Sequence, residues 1–317
     1  PPTPPSHPPP PPPPPNQCLD FIAPAADLSI CRNFRFADLR NATLFKAKLD
    51  GVDLSFANLD GVDLREATLH DTDLTGASIR HAKMNKADLI GTVLTDAVLH
   101  AADLRGCNLQ GVLMHGADFS GADLRNAMLA DVFNAEKVSF ARADLGGAVV
   151  TNAWLHQANF DGANLAHFRS EGTQFKGSTF WGASLQGVML IDSSCTSCDL
   201  RRADLEGVGL RHFNAEGVNL EGANLRQCDL FMAILSRANA NDVDFSLAQM
   251  QSVDFTGASL VNATFTGADV FLATFNEATI EGAHFEGAHN LQSASFQGVL
   301  GKLGSGEKLI INIQSVG

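Results

Sequence analysis

From Phe34 to Leu129 every fifth residue is Leu, Ile, Met or Phe, which makes 20 consecutive repeats. A second register of the same period runs from Phe140 to Phe285 for 30 more, and Leu291 and Phe296 add two after a one-residue shift, 52 in all. A period of five matches neither the 3.6 of an α-helix nor the 2.0 of a long strand. Each repeat restricts two positions. The centre is large and apolar, and the residue two before it is small, usually Ala, Val, Cys, Ser or Thr. Residues two apart share a side in an extended segment, so both face inward and the one between them faces out. The remaining two residues must turn a corner. Of the 28 glycines, 21 fall at the last position of a repeat, as expected of a backbone that needs a permissive residue there.

Phrases such as Ala37-Asp38-Leu39-Arg40-Asn41 and Ala57-Asn58-Leu59-Asp60-Gly61 carry the pattern in its plainest form. Over roughly residues 25 to 297 the chain resembles the pentapeptide repeat family, whose consensus is A-(D/N)-L-x-x. The resemblance implies an all-β fold, a right-handed quadrilateral β-helix with four repeats per coil and about 13 coils. At about 4.8 Å between stacked strands the rod would be about 60 Å long, stabilised by neighbour-to-neighbour stacking. Phe168 and Phe213 occupy the small position, and in those repeats the centre shrinks to Ser170 and Ala215, which keeps the core volume of the facet. Twenty-residue spacing predicts aromatic ladders through Phe140, Phe160 and Phe180, and through Phe245, Phe265 and Phe285.

The pattern divides the chain into residues 1–16, a proline-rich extended tail; 17–33, an N-terminal cap; 34–297, the β-helix with its register shift at 130–139; and 298–317, a C-terminal tail or cap. The shift is expected as a bulge or short loop within one rod. Twelve of the 13 prolines lie in the first 15 residues, so Pro1–Pro15 is expected as a polyproline II spacer or a tail gripped by partner proteins. Leu19, Phe21 and Ile22 are expected to cover the first coil, and Lys308–Ile313 to form a short terminal strand. Residue 1 is proline rather than methionine, which leaves open a removed targeting segment or a trimmed start.

Composition narrows the chemistry. A net charge of −13 opposes direct binding to nucleic acid, and no window approaches a transmembrane helix. Cys195 and Cys198 form a C-x-x-C, yet the register makes one a centre and the other a small inward position, as it does for Cys107 and Cys228. All four are therefore expected as buried thiols and no metal site follows, whereas Cys18 and Cys31 could pair in an oxidising compartment. The ten histidines show no metal-ligand spacing, although His81 and His100 are candidates for neighbours on adjacent coils. No catalytic constellation and no cofactor site emerges.

The function expected is a non-enzymatic protein–protein interaction scaffold, either an architectural subunit of a larger assembly or a binding effector. Its partners would be other proteins, with a homo-oligomer open. The alternative implied by the resemblance is a DNA mimic acting on DNA gyrase or topoisomerase. That reading needs a continuous acidic surface, and arginines stand beside Asp63, Asp103 and Asp123 in the best column, Asp63, Asp103, Asp123 and Asp144. The resemblance also leaves the compartment open, with the thylakoid lumen, a bacterial cytoplasm and secretion as alternatives. One candidate docking strip stands out. On the face centred on Leu190, Leu230 and Val270 the outward residues include Met189, Ile191, Phe231, Met232, Phe271 and Leu272, with Ile90 extending the same face.

Overall fold

The computed structural model describes residues 18–304, and within it the chain winds as a right-handed β-helix. Isolated parallel bridges join residues twenty apart, such as Asp38 to Asn58 and Asp63 to Lys83, in a ladder that runs from Asp27 to Leu300. Four facets are extended enough to form three-residue strands. These are β1 (Met128–Ala130), β2 (Val149–Thr151), β3 (Arg169–Glu171) and β4 (Met189–Ile191), and they pair as one parallel sheet in the order β1-β2-β3-β4.

The five-residue period is a hydrogen-bond budget that closes. In the repeat around Leu44, the Leu44 N–H donates to the Asp63 carbonyl of the next coil at 2.8 Å, and the Lys46 N–H to the Arg65 carbonyl at 2.9 Å. The Ala47 N–H closes the corner on the Leu44 carbonyl at 3.0 Å, and the Lys48 N–H returns to the previous coil at the Ala26 carbonyl. One donor per repeat remains, the first corner residue. The outward Asp or Asn two residues earlier takes it: Asp53 accepts from the Ser55 N–H at 2.9 Å, Asp73 from Thr75 at 2.9 Å and Asn159 from Asp161 at 2.8 Å. A buried amide left unpaired would be costly, which accounts for the Asp/Asn preference beside each inward leucine. The second corner residue has φ near +60°, as in Lys46 (58°) and Gly51 (68°), the conformation a type II turn demands at that position.

Inside, the large centres and small partners form one continuous core from Cys18 to Phe296. Small polar residues at inward positions find carbonyls on the coil before: Thr72 donates to Leu49 and Thr92 to Leu69, each at 2.7 Å, and the Cys107 and Cys228 thiols to Met84 and Leu205, each at 2.9 Å. The predicted ladders form. Phe140, Phe160 and Phe180 stack with centroid spacings of 5.1 and 4.7 Å, and Phe245, Phe265 and Phe285 with 5.1 and 4.5 Å. A third ladder, Phe255, Phe275 and Phe296, interleaves edge-on with the last one. Phe168 and Phe213 are buried over the shrunken Ser170 and Ala215.

The register shift is a one-residue insertion. Val132 and Ala135 both point inward with two residues between them instead of one, and Phe133 is turned out. The ladder steps 21 residues there, from Leu113 to Asn134 and from Asp123 to Asp144, and pairing continues unbroken. A second such step pairs Asp27 with Lys48, so Ala26-Asp27-Leu28 is already a facet of the helix inside the segment expected as a cap. At the start of the rod Cys18 is buried and Ile22 packs against the core, whereas Leu19 and Phe21, expected to cover the first coil, are exposed on the short 3-10 turn Leu19–Phe21. The proline tail and the Lys308–Ile313 strand lie outside the described residues.

One expectation about sulfur is corrected. Cys107 and Cys228 are buried free thiols, but Cys195 and Cys198, although buried, are joined as a disulfide, and Cys18 pairs with Cys31. A centre and the small residue three later flank the same corner and both face inward, so the Cys195 and Cys198 Cα atoms are only 5.3 Å apart. The periodicity that buried them also juxtaposed them. The Cys18–Cys31 loop, with a separation of 13, contributes about 3 kcal/mol by restricting the unfolded chain. The chain unfolded without reductant is expected to release two thiols and, after reduction, six; mass spectrometry of alkylated protein distinguishes this from four free thiols and one disulfide.

Candidate interaction surfaces

The acidic column is stacked as the spacing predicted, and it is neutralised rung by rung. Arg65 grips Asp63 through two hydrogen bonds of 2.8 and 2.7 Å, and Arg105 grips Asp103 in the same way. The Arg105 Nε also lies 3.5 Å from Asp123, and Arg125, bound to Asp123, reaches Asp144 at 3.6 Å. Lys83 fills the rung between Asp63 and Asp103. The result is an alternating ladder of opposite charge rather than an acidic wall. Hydrogen bonds from these guanidinium groups hold the carboxyls of Asp63, Asp103 and Asp123 below the usual carboxylate range.

Little in this surface resembles a reaction centre. His81 and His100 are neighbours, with ring centroids 6.1 Å apart, but among the described residues no group of three His, Cys, Asp or Glu could hold a metal ion. Burial pushes the Cys107 and Cys228 thiols up to about 12, far from a reactive thiolate. A cavity of about 20 Å³ within the coils near Phe168, Leu190 and Phe213 is lined by apolar side chains.

The six residues of the predicted strip lie on one face, where the ladder links Met189 through Gly209, Asp229 and Gln249 to Asp269. Ile191, Met232, Phe271 and Leu272 are exposed, and Ile90 is carried onto the same face through the insertion. Met189 and Phe231 are half-buried. Phe231 is covered by the Arg211 guanidinium, 4.4 Å above its ring, and by the edge of His212. The apolar residues thus alternate with polar coils. Arg211, paired with Asp229 at 2.9 Å, separates Ile191 from Phe231, and Gln251, bonded to Asp269 at 2.7 Å, separates Phe231 from Phe271.

A second apolar cluster escaped the periodic reading. It surrounds the insertion, where Leu113, Phe133 and Trp154 follow one another down one face and Met128 and Val149 lie beside them on the adjoining face. Phe133 meets Trp154 edge-on at 5.4 Å, and Trp154 stacks nearly parallel on His156. Leu113, Met128, Val149 and Trp154 all occupy the outward position that in many other repeats holds the Asp or Asn accepting a corner amide, a signal visible in the sequence. Phe133 was invisible there because an inserted residue has no place in the period.

These features define a class, the parallel β-helix solenoid whose faces present short, flat ladders of outward side chains. The pentapeptide repeats family matches in eight copies between residues 37 and 287, some of them overlapping, and the chain belongs to that family. Among solved structures it is similar to QnrB1, a plasmid-mediated fluoroquinolone resistance protein, at 24% identity over 56% of this chain and 90% of that one, with a TM-score of 0.45. It is also similar to HetL, involved in heterocyst differentiation regulation in the cyanobacterium Nostoc, at 24% identity over 86% of this chain and 93% of that one, with a TM-score of 0.21. A pentapeptide repeat protein of the Arabidopsis thaliana thylakoid lumen is 34% identical over 27% of this chain and 63% of its own, with a TM-score of 0.23. No curated protein matches.

The charge ladder yields a signed prediction. Carboxyls with lowered values in the folded chain stabilise it fully above about pH 4, where the unfolded chain has already lost those protons, and progressively less as pH falls through the folded values. Arg105→Ala is expected to cost under about 1 kcal/mol at pH 7, since the pair is half-exposed. Thermal melts followed by circular dichroism should show the difference between variant and parent shrinking below pH 4.

Proposed function

We propose that this chain is a non-enzymatic protein-interaction scaffold, an architectural subunit or binding effector, that docks other proteins along the face bearing Met189, Ile191, Phe231, Met232, Phe271 and Leu272. The observation that carries the reading is the placement of Met232 and Leu272. Each sits at a corner with φ of 56°, where most other repeats place glycine or a polar residue, and each is about half exposed. A bulky side chain in the left-handed region costs about 1 kcal/mol, and its exposure to water recovers nothing in the isolated chain. Beside them Phe231 and Phe271 extend the apolar surface, their amides held by Asp229 and Asp269. Strain kept at an exposed apolar site is what a partner surface would justify. The polar coils between them suit a docking face of separate anchors, each entering its own pocket on the partner.

Phe231→Asp with Phe271→Asp should leave the fold intact, because both side chains point away from the core. Association with partners, or with a second copy, is expected to weaken by about 2 kcal/mol or more. Circular dichroism checks the fold, and sedimentation together with co-purification from the native source checks association. A folded double variant that keeps every partner rejects this face.

The net charge of −13 favours a second reading, a DNA-mimic modulator of gyrase or topoisomerase. Arginines bound to Asp63, Asp103 and Asp123, and Lys83 on the rung between, weigh against it, since a mimic of phosphate spacing needs unpaired charge. In a supercoiling assay the protein is expected to leave gyrase unaffected at micromolar concentration, and DNA-competitive inhibition would reverse the order of the two readings.

A further inference from the structure

We infer that the aromatic surface at the insertion is a docking site for the chain's own proline segment, Pro8–Pro15. Four observations converge on this occupant. The first is the surface itself: Leu113, Phe133 and Trp154 are about 40 to 50% exposed and form a contiguous column, flanked by Met128 and Val149. Four of the five, all but Phe133, take the place of the Asp or Asn acceptor, so the backbone forgoes that side-chain cap to present them. The second is the insertion, which turns Phe133 outward against Trp154; bulges of this kind re-aim a side chain.

The third is location. Cys31 belongs to the first facet of the same face, because the ladder descends from Asn33 through Asp53, Asp73 and Val93 to Leu113 and Asn134, and the Trp154 N–H donates to the Val132 carbonyl. The disulfide to Cys31 anchors Cys18, ten residues after Pro8, at the top of that face. Phe133 lies five coils down and Trp154 six, about 24 and 29 Å at the usual strand spacing. Ten residues of polyproline II, from Cys18 back to Pro8, span about 31 Å. A proline run of that length is therefore long enough to reach the column of Val93, Leu113 and Phe133 from Cys18.

The fourth is chemistry. The run Pro8–Pro15 has no backbone N–H and bears only proline rings and carbonyls. Such a ligand is recognised by exposed aromatic ridges that receive the rings, and by a donor such as the indole N–H of a tryptophan for a carbonyl. Trp154 supplies both, and the His156 ring lies parallel to it with centroids 6.4 Å apart. The face below is unlike it, since Gln174 and Ser194 continue the column with polar side chains.

Two tryptophans make this directly measurable. In the full chain carrying Trp181→Phe, Trp154 is the remaining reporter. Docking predicts that its emission is blue-shifted and weakly quenched by acrylamide, and that changing every proline from Pro8 to Pro15 to glycine or serine shifts it to the red and raises quenching. Adding a synthetic octaproline to that variant should reverse both changes saturably. Emission that is the same in the two chains, with no response to the peptide, overturns the proposal. A difference that disappears on dilution also overturns it, by assigning the surface to contact between copies.

Discussion

Everything in this molecule depends on the pairing of each coil's backbone with the next. Every repeat must hand three amides to neighbouring coils and one to its own corner, and it must find an acceptor for the fifth. Those requirements fix the composition: a left-handed corner residue, a small inward residue, an outward Asp or Asn, and a large apolar centre. Asp53 and Asp73 are therefore structural before they are acidic, and the neutral Asn159 accepts in the same way. The net charge of the chain is partly a by-product of capping, and arginines such as Arg105 and Arg125 offset it locally.

Where the requirement is relaxed, the surface becomes informative. An outward apolar residue in place of Asp or Asn gives up a hydrogen bond, and a bulky corner residue in place of glycine accepts strain. Met232 and Leu272 accept strain on one face, while Leu113, Met128, Val149 and Trp154 give up the cap around the insertion. The two surfaces differ in kind. On the first, polar coils containing Arg211 and Gln251 separate the apolar anchors; on the second, aromatic side chains touch.

The core tolerates variation because it is layered. Thr72, Thr92, Cys107 and Cys228 replace alanine or valine at inward positions by donating to a carbonyl already present on the coil before. Phenylalanines in the C-terminal third stack at coil spacing in two ladders that meet edge-on, whereas near Phe168 and Phe213 the exchange of large and small positions accompanies a small cavity lined by apolar side chains.

The sequence by itself determined the fold, the face assignment of nearly every residue and the neutralisation of the acidic column. A five-residue register is a local code in which each residue's direction follows from its position, and Arg105 two residues after Asp103 must share its face. It also placed Met189, Ile191, Phe231, Met232, Phe271 and Leu272 on one face by counting alone. Three things needed the tertiary structure. Counting gives direction but not coverage, so the guanidinium over Phe231 was unforeseen. Inward direction was mistaken for isolation at Cys195 and Cys198, where the corner brings two inward sulfurs together. Phe133, as the residue that breaks the period, had no assigned direction until the continued pairing of Leu113 with Asn134 forced it outward against Trp154.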